Sequence, residues 1–107
     1  MKAVVFTGRE QIEIQDVEPP TCGPREVLIR VRTAGLCGTD VHIHRGEYMG
    51  GYPIIPGHEF AGEVVEVGGE VDGFAEGDRV TADPNIDCGH CEFCRRQHNN
   101  HCLNWQG

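Results

Sequence analysis

GLCGTDVHIHRGEYMGGYPIIPGHEFAGEVVEVG, residues 35–68, is the stretch around which the chain is organised. It contains three candidate metal ligands: a thiol at Cys37, an imidazole at His58 and a carboxylate at Glu59. Such a mixture suits zinc. Cys37 and His58 are too far apart in sequence to share one helix face or one strand, so only a fold that joins two separate turns can unite them. Ligands drawn from different elements, with one position left open, are the usual build of a catalytic metal site. Asp40 lies close enough to Cys37 to hold a ligating histidine by a hydrogen bond. Thr39 and His42 are placed for a short proton path. The plainer alternative is a core cysteine, a surface histidine and an aspartate that caps a helix.

A second cluster tilts the balance towards metal. Cys88, Cys91, Cys94 and Cys102 are spaced C-x2-C-x2-C-x7-C. Short gaps let successive sulfurs turn inward from one tight loop, and four thiolates close a tetrahedron around zinc. A disulfide framework competes, although two-residue gaps crowd it. An iron–sulfur cluster competes better, because bacterial ferredoxins share the C-x2-C-x2-C run. There the fourth cysteine precedes proline; here Leu103 follows, and no second set appears.

The ordered segments Gly35–His42, Pro56–Val64 (PGHEFAGEV), Gly77–Val80 (GDRV) and the four-cysteine lobe 88–102 resemble the zinc-containing medium-chain alcohol dehydrogenases. Within them they are most similar to the polyol and threonine dehydrogenase branch. The resemblance runs from Met1 to the last cysteine and implies a mainly β, GroES-like, partly open barrel with short helices and a structural-zinc lobe. It implies a catalytic zinc at Cys37 and His58, with Glu59 ligating or standing beside it, and a structural zinc at Cys88, Cys91, Cys94 and Cys102. It implies that Thr39 hydrogen-bonds the substrate hydroxyl, that His42 passes its proton towards solvent, and that Asp40 orients His58. The implied reaction is hydride transfer from a secondary alcohol, polyol or amino alcohol to NAD or NADP, in a homodimer or homotetramer. Gly38 stands where some relatives carry a basic residue that contacts cofactor phosphate, which agrees with the polyol-like branch.

The 107 residues and formal charge of −8 fit one domain and argue against a nucleic-acid partner. No apolar run reaches membrane-spanning length. The start, MKAVVFTGREQ, has no signal-peptide core, and cysteines in metal spacing without an export signal point to the cytoplasm. Relatives carry a nucleotide-binding domain after this region, opening on a strand and a G-x-G-x-x-G turn. That turn does not occur here, so residues 1–107 are expected to be a GroES-like catalytic portion, inactive alone, with cofactor contacts and a further zinc ligand outside it. Two rival readings remain: a non-enzymatic, zinc-stabilised binding module, and an iron–sulfur electron carrier.

Strands are expected at 2–6 and, half-buried by its Ile12 and Ile14 alternation, at 11–18. A third is expected at 26–34, with Val27, Ile29 and Val31 on one face. Further strands follow at 60–68, with Gly62 marking a bulge or close approach, and at 78–82. Thr39 or Asp40 is expected to cap a short helix through Arg45. Residues 46–57, rich in glycine and proline, form a loop that delivers His58, and His44 and Tyr48 are candidates for a cleft wall. Cys22 is expected to be a free thiol. His90, His98 and His101 are expected on the surface, and Arg95 and Arg96 to offset the charge of the thiolate lobe.

Overall fold

The computed structural model describes residues 1–48 and 50–106; Met49, inside the expected loop, and Gly107 lie outside the described residues. Among the described residues five strands form two antiparallel sheets. β1 (Lys2–Gly8) pairs with β2 (Gln11–Asp16) across a tight turn in which Glu10 takes a positive φ of 58°. β3 (Val27–Gly35), β4 (Glu59–Val67) and β5 (Arg79–Thr81) make the second sheet, with β4 in the centre. Both sheets are open, in keeping with a partial barrel. Helix α1 (Gly38–His44) leaves the end of β3, and the loop after it returns to β4. Phe6 and Ile54 exchange backbone hydrogen bonds of 2.8 and 3.0 Å, which pin that loop to β1. Among the described residues no helix is long and apolar enough to cross a membrane.

The core is small. Val5, Phe6 and Val64 are buried, and among the described residues the one buried charged side chain is Asp40. Val64 and Gly62 share the covered face of β4, as the two-residue period of a central strand requires.

Two strands depart from their sequence pattern. Ile12 and Ile14 alternate as expected but are 55% and 74% exposed, so β2 is not half-buried. It has only β1 beside it, and no described element covers its outer face. In β3 the expected face of Val27, Ile29 and Val31 does not persist, and Val31 is exposed. The register against β4 shifts between Leu28 and Ile29 and again between Val31 and Thr33, and each extra residue resets which side faces the core.

Gly62 explains how β3 and β4 approach at the second shift. A Cβ there would lie 2.4 Å from the carbonyl oxygen of Arg30 and 2.7 Å from a methyl of Ile29. The first neighbour is backbone and cannot rotate away. Gly62→Ala should therefore force the strands apart and cost about 1–3 kcal/mol, the range for overpacked interiors. A lowered urea midpoint with an unchanged slope would bear this out; an unchanged midpoint would refute the close approach.

Candidate metal and substrate site

The start of α1 is held by its own ligand candidates. The expected cap at Thr39 or Asp40 is displaced two or three residues upstream: Cys37, in extended conformation, is the N-cap. Its Sγ accepts from the Thr39 N–H at 3.3 Å, and its own N–H donates to Asp40 Oδ2 at 2.9 Å. This reciprocal pair is a capping box with sulfur in place of the usual hydroxyl. Asp40 is thereby drawn under the helix and is 3% exposed.

The loop from Gly46 to Gly57 brings His58 back to this turn. His58 Nε2 lies 3.0 Å from Cys37 Sγ, and its Nδ1 faces Asp40 Oδ1 at 3.7 Å. That oxygen is buried and has no hydrogen-bond partner, so the carboxylate is aimed at the ring and set to bind Nδ1–H. Such a partner leaves the Nε2 lone pair free and directed at the sulfur side, as a metal-binding histidine requires. Glu59 opens β4 opposite Gly35, and a Cβ at Gly35 would come within 3.2 Å of the Glu59 carboxylate. The glycine leaves that carboxylate its room. One ligand atom each from Cys37, His58 and Glu59 lies within 4.8 Å of the others, a thiol–imidazole–carboxylate set that fits zinc.

Thr39 and His58 line a cleft of about 520 Å³ whose walls include Ile43, Tyr48, Tyr52 and Trp105. Tyr48 is on the wall as expected, whereas His44 packs edge-on against Phe6, with ring centroids 5.3 Å apart. Trp105 and its partner Asn85, joined by a 2.9 Å bond from the indole N–H, are wall residues that the sequence reading missed. No local pattern announces them; they arrive because the Ile86–Gln106 bridge brings the chain on either side of the lobe together at its root. His42 lies one turn after Thr39 on the same side of α1, as residues three apart do. It is more than half exposed, and its Nδ1 contacts Glu47 Oε2 at 2.6 Å. The hydrogen bond from His42 holds the Glu47 carboxyl below the usual carboxylate range.

The lobe carries more local structure than an irregular excursion. Cys91 caps the short helix α2 (Glu92–Arg95), and a 3₁₀ turn covers Asn99–His101. Cys91 and Cys94 sulfurs are 3.5 Å apart, and Cys88 and Cys94 sulfurs 4.0 Å apart. A tetrahedron of ~2.3 Å zinc–sulfur bonds has edges of about 3.8 Å. A disulfide needs about 2.05 Å, and all six cysteines, Cys22 included, are free. All four lobe sulfurs fall within 4.8 Å of one another, room for one ion rather than a cluster with several irons between its ligands. The thiols differ sharply from one another. Hydrogen bonding, led by Asn104, brings Cys88 down to about 5, while burial pushes Cys94 up to about 12. Bonding from the Cys94 N–H lowers Cys91. His90, His98 and His101 are exposed, as are Arg95 and Arg96.

The alcohol dehydrogenase GroES-like domain family matches residues 23–107. The chain belongs to that family. This GroES-like domain is 44% identical to L-threonine 3-dehydrogenase of Pseudoalteromonas atlantica (strain T6c), over all of this chain and 33% of that protein. It is 42% identical to sorbitol dehydrogenase of Bacillus subtilis (strain 168), over 95% of this chain and 30% of that protein. A thermostable alcohol dehydrogenase from Pyrobaculum aerophilum, solved with cobalt and zinc bound, superposes with a TM-score of 0.88 at 37% identity, covering 97% of this chain and 32% of that one. The chain thus spans about a third of the length of the relatives it matches.

The completeness of the two ligand sets sets an order of affinity. Four thiolates should hold one zinc tightly, and Cys37, His58 and Glu59 a second one more weakly. Elemental analysis by mass spectrometry during stepwise chelation should show the two leave in that order. Iron as the main metal would refute the assignment. Cys94→Ser should then unravel residues 88–102 while the strands stay folded, because the lobe makes few contacts beyond its own loop. Amide exchange reads this directly; protection lost evenly across β1–β5 would deny a separable lobe.

Proposed function

We propose that residues 1–107 form the N-terminal catalytic portion of a zinc-dependent dehydrogenase that oxidises a secondary alcohol, polyol or amino alcohol by hydride transfer to NAD or NADP. The observation that carries this reading is the joining of Cys37, His58 and Glu59 beside a cleft, with Asp40 buried behind the imidazole. The threonine and sorbitol dehydrogenases among the relatives support the substrate class. A nucleotide-binding domain, with the dinucleotide site, belongs to sequence outside residues 1–107. The complete enzyme works in the cytoplasm as a homodimer or homotetramer.

Zinc, when bound, supplies Lewis-acid polarisation of an alcohol oxygen. The remaining roles of this chain fall to groups on α1, at its cap and at the start of β4. Cys37 and His58 hold the cation, and Glu59 joins them or stands beside them. Asp40 fixes the ring of His58 through Nδ1–H and keeps Nε2 turned outward. Thr39, on the cleft wall next to His58, hydrogen-bonds the substrate hydroxyl and orients it. His42, one turn further along and facing solvent, takes the hydroxyl proton onward to water. The cleft's isoleucine and aromatic walls offer the substrate carbons an apolar surface beside the ligand set.

A zinc-stabilised module without catalysis is the second reading. It accounts for the lobe but gives no reason for Cys37, His58 and Glu59 to converge, with Asp40 buried behind the imidazole and Thr39 and His58 lining one cleft.

The relay is tested in the complete enzyme by His42→Ala. General-base contributions are of order 10²–10⁴-fold, and a relay at the edge of the site should fall at or below the low end. The loss should be larger at low pH than at high pH, where hydroxide substitutes for the base. Measurement of kcat/KM over about pH 6–10, with zinc content alongside, checks this. A pH-independent ratio removes His42 from the proton path, and loss of zinc would make it a ligand instead.

A further inference from the structure

The C-terminus of α1 turns the chain back on itself in a way the reaction scheme above does not use. Arg45 is the last residue with helical φ and ψ, and Gly46 follows with φ of +72°, a conformation that favours glycine. The Gly46 N–H donates to Ile43 O at 3.0 Å and the Glu47 N–H to His42 O at 2.9 Å. These are the two bonds of a Schellman turn. Its geometry puts Glu47, five residues after His42, directly against the His42 side chain, where the 2.6 Å contact to Nδ1 forms.

We propose that Glu47 is a positioning residue: it fixes His42 in the tautomer that carries its proton on Nδ1 and leaves Nε2 as the proton-accepting atom. The argument is one of donor and acceptor inventory. An ionised carboxylate only accepts, so a neutral imidazole that bonds it through Nδ1 must carry its hydrogen there. Arg9 and Arg45 lie near Glu47 and favour its ionised form. A neutral imidazole left to itself prefers the opposite tautomer, with the hydrogen on Nε2, which cannot receive a proton at that atom. In the relay, Nε2 gains the alcohol-derived proton, the ring becomes a cation beside the Glu47 carboxylate, and Nε2–H passes the same proton to water. No other bond changes. The turn also joins the relay to the fold: its two bonds are backbone bonds and do not depend on the Glu47 side chain.

This inference rests on the relay role proposed for His42, and the test separates the two. The ring nitrogens of His42 are observed by nitrogen-15 NMR in the complete enzyme, well above the ordinary histidine pKa of about 6.5. The wild-type ring should show hydrogen on Nδ1. Glu47→Ala should move it to Nε2, with helix content and zinc unchanged. Glu47→Gln should restore Nδ1–H, because the amide oxygen still accepts. Turnover should fall by about 3–10-fold in Glu47→Ala, below the full effect of a general base, and recover in Glu47→Gln. Hydrogen on Nε2 in the wild type, or a ring that ignores Glu47→Ala, overturns the proposal. A ring that switches while turnover stays constant overturns the relay of His42 and leaves Glu47 as the residue that sets its tautomer.

Discussion

The buried carboxylate of Asp40 is the constraint on which the site depends. One oxygen accepts the Cys37 N–H and so fixes the first turn of α1; the other faces His58 from below. A single side chain thus joins the end of β3 to the start of β4, two points 21 residues apart in sequence at Cys37 and His58. A buried carboxylate oxygen without a partner is costly in a low-dielectric interior. That cost is tolerable where an imidazole N–H is close at hand, and it rises if the ring swings away. Asp40 therefore disfavours arrangements in which the two halves of the ligand set separate.

Much of this was legible in the chain itself. The convergence of Cys37, His58 and Glu59, the clustering of the four lobe cysteines and all five strands were foreshadowed by residue type and spacing, because metal-binding spacing and two-residue alternation are local signals. Gly62 announced a close approach for the same reason: no other residue leaves that space. Three features escaped. The cap at Cys37 was hidden because a cysteine is an unusual N-cap, and Asp40 and Thr39 are the stronger signals by type. The exposure of Ile12, Ile14 and Val31 was hidden because alternation reveals which residues share a face, never whether anything covers it. Trp105 and Asn85 reached the cleft only through long-range pairing at the root of the lobe, which leaves no periodic trace.

The lobe and the β-framework are stabilised in different ways. The framework has a small core, with Val5, Phe6 and Val64 at its centre, and relies on strand pairing. The lobe has almost no apolar interior, and Cys94 is its one buried residue among those described. Its turns are shaped by sulfur as an acceptor: the N–H groups of Cys88, Cys91, Cys94 and Asn104 all point at cysteine sulfurs. At Cys88 and Cys91 such donors favour thiolate over thiol, which suits a cation held between them.

The sulfur cap on α1 has a kinetic meaning. The bonds that shape the turn around Cys37 are made entirely within the chain, from Thr39 N–H to Sγ and from Cys37 N–H to Asp40. The thiol is therefore already oriented towards His58 Nε2 by folding alone. A cation entering there would meet a Cys37 thiol whose ordering entropy has been lost in advance, so little of its binding free energy would go into organising this turn. Exchange of metal at this position should then be governed by access through the cleft mouth and by exposure of Glu59, not by rearrangement of the backbone. Three donors leave one side of a tetrahedral site open, so any selection among cations would rest on whichever group closes that side.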